Sequence, residues 1–189
     1  MNIFNRIIKA ATLDVAFFTE VEGDRSLNNE ALLVVILASI AGGIGGFLGR
    51  IFEGEIGAAL LALFVLAILG IINYYIWAYV TYFIGTNLFE GRADPGELLR
   101  VLGYASGPRL LSLFSFVPCL GPMLSLIGGI WSLIAGFIGV REALDLDTGK
   151  TLITVIVGWV VVLIITIVVG FFVGVGALGL GAASSILSR

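Results

Sequence analysis

The chain has 189 residues, 59% of them apolar and only 12% charged, with a net charge of −3 and a mean hydropathy of +1.13. A soluble domain carries about 25% charge, and a water-exposed surface built from this composition would be bare hydrocarbon, so the chain reads as an all-α, polytopic integral membrane protein. The acidic balance gives no field for nucleic acid, and one cysteine with no histidine removes zinc sites, imidazole-bound haem, Cys–His catalysis and an internal disulfide.

Residues 1–25 form an amphipathic N-terminal segment. Ile3, Phe4, Ile7, Ile8, Ala11, Val15 and Phe18 recur at i, i+3, i+4 spacing, with Arg6, Lys9, Asp14 and Glu20 on other faces. This predicts one helix over 2–22, lying in the membrane interface or packed against the cytoplasmic mouth of a bundle. No continuous apolar stretch follows the early basic residues, so it is not read as a signal peptide.

Residues 31–183 read as a domain of five transmembrane helices, each crossing needing about 20 apolar residues. The first span is 31–49, closed by Arg50. The second is 57–84, where Asn73, Tyr74, Tyr75, Trp77, Tyr79 and Tyr82 suggest an aromatic belt. The third, 97–117, opens at Asp94-Pro95-Gly96-Glu97, which supplies an N-cap, a first-turn proline and a capping-box carboxylate. It is the least hydrophobic span, so four crossings is the alternative count. Pro118 and Pro122 bracket a sharp turn. The fourth span is 121–140, and a charged loop over 141–150 leads to the fifth, 151–177.

With five spans, the lysines and arginines divide unevenly. Arg6, Lys9, Arg25, Arg92, Arg100, Arg141 and Lys150 fall on the N-terminal side, against Arg50 and Arg189 on the other. The positive-inside rule then expects a cytoplasmic N-terminus and an external C-terminus.

Arg109 is the one charge well inside a span, where an isolated arginine costs roughly 2.5–3.5 kcal/mol on insertion scales. Two readings are open: pairing with Glu53 or Glu55 in the outer loop after the first span, clamping the third helix to that loop, or snorkelling to the outer headgroups. Gly107-Pro108 is a potential break in the third helix, and Asn73 or Tyr104 could line a path there; a kinked packing helix serves as well. Glycine makes up 26 of 189 residues, about twice the average of roughly 7%. Gly42/Gly46, Gly45/Gly49 and Gly170/Gly174 are G-x-x-x-G pairs, suited to packing within one subunit or to contacts with a second copy or other membrane proteins. Ser39, Ser112, Ser115, Ser125 and Ser132 have no histidine to activate them and read as interhelical hydrogen-bonding groups. No cofactor or metal site is expected.

Leu102-Gly103-Tyr104-Ala105-Ser106-Gly107-Pro108, the Pro118–Pro122 turn, Trp131, Val140-Arg141-Glu142-Ala143-Leu144 and Asp147-Thr148-Gly149-Lys150 resemble the Yip-domain family. The resemblance implies five membrane helices, a cytoplasmic N-terminus and a role in membrane organisation, vesicle traffic or protein sorting. Eukaryotic members carry an Asp-Leu-Tyr-Gly-Pro motif that accompanies binding of Rab-type GTPases. That motif does not occur here, so GTPase binding is not carried over, and the chain looks like prokaryotic members of an inner membrane. The expected function is a non-enzymatic scaffold; the alternatives are an accessory subunit of a larger membrane assembly, and a small transporter or channel with Arg109 as an anion site.

Overall fold

The computed structural model describes the backbone of residues 2–187 except 53 and 55, and their side chains except those of 52, 58, 62, 66 and 172–187. Seven α-helices follow one another: α1 Ile3–Ala11, α2 Val15–Gly23, α3 Asn28–Phe52, α4 Ile56–Phe89, α5 Pro95–Ala105, α6 Leu120–Ala143 and α7 Thr148–Leu187. Two 3-10 segments, Arg25–Leu27 and Gly107–Phe116, complete the described chain, and no strand occurs among the described residues.

The N-terminal stretch is two helices and not the single one expected. Asn2 and Asp14 cap α1 and α2, accepting from the amides of Asn5 and Phe17, and the turn between them places Leu13 at φ 61°. The two helices also differ in what they bury. On α2, Phe17, Phe18 and Val21 are fully enclosed, whereas α1 leaves Phe4 and Ile8 exposed. Thus α2 is part of the packed core, while α1 keeps the outward apolar edge of an interfacial helix.

Helices α3, α4, α6 and α7 each contain a stretch long and apolar enough to cross a membrane. The expected third span is not a continuous α-helix. It stops at Ala105 and continues as the 3-10 segment Gly107–Phe116. Pro108 has no amide hydrogen for the Tyr104 carbonyl, and its ring would clash there, so the α-helix cannot pass through it. The composite nevertheless runs the length of α3. Arg25 pairs with Asp94 at one end (3.5 Å), Gly103 lies on Ala31, Ser112 on Gly42, and Phe116 beside Gly49 at the other. It is therefore a fifth pass, parallel to α3.

Close contacts give the direction of the remaining passes. Helix α4 runs antiparallel to α3, with Gly43 on Leu63 and Gly70 on Ser39. Helix α6 runs back along the composite, with Gly128 on Pro108 and Gly139 on Val101. Helix α7 lies antiparallel to α4, joined by Gly158 against Thr81 and by Asn73 Nδ2 donating to Thr166 Oγ1 (3.2 Å). The end of the bundle that holds Arg25, Asp94 and Leu144 is termed the near end, and the Pro118–Pro122 turn marks the far end. At that turn Cys119 adopts φ 63° and the amide of Gly121 reaches the Val117 carbonyl (2.7 Å). Pro122 falls in the first turn of α6, where its missing amide hydrogen has no partner to lose.

Candidate functional site

Two polar regions stand out against the apolar bundle. The first is a layer at the near end. The capping box at Asp94 is complete, with Asp94 Oδ1 accepting from the Glu97 amide (2.9 Å) and Glu97 Oε2 from the Asp94 amide (3.0 Å). Helix α5 then carries Arg100 into the core, where it is 2% exposed. Its Nε donates to the Val21 carbonyl (3.0 Å), its Nη1 to Asn28 Oδ1 (2.9 Å) and its Nη2 to the Glu22 carbonyl. Those two carbonyls belong to the last turn of α2, which lacks helical partners for them, so Arg100 caps α2 from another helix. Trp131 does the same for α1, donating from Nε1 to the Ala11 carbonyl (2.6 Å).

Glu30, in the first turn of α3, accepts from Arg6 Nη1 (2.6 Å) and from the Tyr104 hydroxyl (2.7 Å). The Tyr104 ring also meets Phe17 edge-on at 5.3 Å. Tyr104 is thereby committed to the N-terminal helices and does not line a path. Near it, burial pushes the Glu22 carboxyl up to about 7, with Asp145, Glu97 and Glu142 adding to the shift and Arg100 opposing it. Glu22 Oε2 is buried with no partner among the described residues.

The second region lies deeper, along the 3-10 segment. A 3-10 helix has three residues per turn, so side chains three apart eclipse one another. Ser106, Arg109, Ser112 and Ser115 recur at that interval and form one polar line. In an α-helix the same spacing would drift by about 60° per step. The line borders three cavities in succession. Ser106 and Arg109 face the first, of about 250 Å³, together with Asn73, Trp77, Ser132 and Trp159. Arg109 and Ser112 face the second, of about 340 Å³, with Ser39, Gly42, Ser125 and Gly129. Ser115 borders the third, of about 270 Å³, with Gly45, Gly46, Gly49 and Arg50.

Arg109 makes no ion pair and no side-chain hydrogen bond among the described residues. Its expected partners Glu53 and Glu55 lie outside the described residues. Pro108 has its carbonyl against Gly128, as a packing residue. Of the Gly42 and Gly46 pair, Gly42 packs within this chain, where a methyl built on it would lie 3.2 Å from Ser112 Oγ, and half-buried Gly46 lines the third cavity. Asn73 does line the first cavity.

Arg100, Glu30 and Glu22 carry most of the near-end polar chemistry; the sequence pattern counts Arg100 only among the charges of the N-terminal side and singles out neither glutamate. For Arg100 a signal was present, since Glu97 and Tyr104, three residues before it and four after, put it on one polar stripe of an otherwise apolar helix. The exact three-residue interval from Ser106 to Ser115 was a second such signal.

The family model described as the Yip1 domain matches residues 14–170. The match takes in α2 through α6 and α7 as far as residue 170. Among curated proteins nothing matches the chain, and no solved structure matches it either.

Proposed function

The chain belongs to the Yip1 family of membrane proteins, and from that membership we propose that it acts without catalysis, as a scaffold in membrane trafficking or in organising other membrane proteins. The observation that carries this reading is the near-end block. Helices α1 and α2 are fastened to the bundle through Arg100, Trp131 and Glu30, and the loop between α4 and α5 is joined to the loop between α6 and α7 by the Arg92 amide on the Leu144 carbonyl (3.1 Å). A surface held this way keeps one shape for a partner to read. Its exposed carboxylates, Asp145 and Asp147, would favour a basic partner. The seven lysines and arginines on the N-terminal side of the bundle support a cytoplasmic near end.

Gentle extraction with native lipids, followed by native mass determination, tests the reading. The scaffold role expects a cytoplasm-facing partner whose retention weakens in a D145N/D147N variant. A stoichiometric membrane partner held with undiminished strength by that variant would favour the accessory-subunit role instead, since such a partner would sit on the apolar helix faces.

A further inference from the structure

We propose that the cavities around Arg109 bind the phosphate group of an anionic ligand, held by the guanidinium and by hydroxyls lining the cavity walls. This does not rest on the scaffold reading. Arg109, an exposed residue, and Gly129 are common to the first two cavities, so both stand on the wall between them. No carboxylate lines any of the three cavities among the described residues.

The remaining polar lining supplies donors. Ser132 and Ser39 are 3% and 8% exposed. Ser125 Oγ, in the second cavity, and Trp77 Nε1, in the wall of the first, are buried with no partner among the described residues. A cation would meet an arginine here. An apolar guest would leave these donors unpaired, which is the costly arrangement for buried polar groups. An anion answers both the charge and the donors. The guanidinium presents a planar fork that matches two oxygens of a phosphate, which favours a phosphate over a spherical ion.

The route in follows the same polar line. The third cavity continues it past Ser115 to Arg50, toward the far end, so a second arginine stands at the approach. Gly129 has open space where a side chain would begin, which makes it the position at which the site can be filled without removing the charge. A phospholipid headgroup and free phosphate offer the same recognised group.

The test uses the full-length protein, delipidated in a neutral detergent. Thermal unfolding and native mass are followed on addition of inorganic phosphate, short-chain phosphatidylglycerol or short-chain phosphatidylcholine. One equivalent bound with a rise in unfolding temperature supports the proposal. A response to phosphatidylglycerol alone assigns a lipid headgroup, and an equal response to inorganic phosphate assigns the free anion. R109Q and G129L are each expected to abolish the response. R109K keeps the charge without the fork and is expected to weaken binding about tenfold. Should R109Q not fold, G129L and R109K still read the site, because both retain a cation. E53Q/E55Q is expected to bind as the natural chain does. No response in the natural chain, equal responses in R109Q and G129L, or a gain of binding in E53Q/E55Q would overturn the proposal. The last would mean that Arg109 was already neutralised by those carboxylates.

Discussion

Arg100 and Arg109 belong to one stretch of chain and meet opposite fates. Arg100 is surrounded by acceptors from α2 and α3, while Arg109 has none among the described residues. Hydrogen bonds to charged groups are worth about 1.5–3 kcal/mol each, and a carbonyl left buried without its donor costs as much again. Arg100→Met, close in length but without donors, should therefore lose about 3 kcal/mol or more of stability. Unfolding in mixed micelles would read this, and protease cleavage should appear first between α2 and α3. Glu22 sits against the same guanidinium with its carboxyl raised to about 7 from an ordinary 4.5. The folded chain thus holds that proton more tightly than the unfolded chain. Its stabilising contribution is full below about pH 4.5 and is lost as the pH rises through about 7. The unfolding temperature should fall between about pH 5 and pH 8, and E22Q should flatten that component.

Among elements, the composite third pass depends on close approach to its neighbours. A methyl built on Gly103 would lie 2.8 Å from Ala31 Cβ, and one built on Gly128 would lie 2.7 Å from the Pro108 carbonyl oxygen. Overpacking of this kind costs about 1–3 kcal/mol. Gly128→Ala should show that loss in a thermal melt, whereas Gly170→Ala, with open space around it, should show none. The contrast separates packing glycines from those that merely enrich the composition. The capping box at Asp94 was legible from four consecutive residues because its interactions are local. The change to 3-10 geometry was only half legible. Gly107-Pro108 marked the break, but a proline alone does not say whether the chain kinks and resumes as an α-helix or tightens. Contacts with Gly42 and Gly45 of α3 accompany the tighter form, in which Ser112 and Ser115 lie against those glycines.

For the whole molecule, the alternating passes put the Pro118–Pro122 turn and the charged 141–150 loop at opposite ends of the bundle. Cys119, the single cysteine, is free and exposed at that turn. With a cytoplasmic near end, a membrane-impermeant maleimide should label Cys119 in intact cells or right-side-out vesicles. In a C119S background, Lys150→Cys should label only in inverted ones. Labelling of both from one side would remove the odd number of passes on which the topology stands.

Composition and the spacing of charges were enough to show a helical membrane protein, and a few short motifs were enough to suggest its family, because the hydrocarbon interior acts on every residue independently and leaves its mark along the chain. The same information stopped short of the polar interior. Whether Arg100 would be capped and Arg109 left without a partner among the described residues, whether residues 2–22 would be one helix or two, and whether Ser106 to Ser115 would align were decided by which helices came to lie beside them. Those outcomes depend on acceptors and clearances supplied by residues far along the chain, 79 positions apart for Arg100 and Val21 and 120 for Trp131 and Ala11. No local pattern encodes such distant partners.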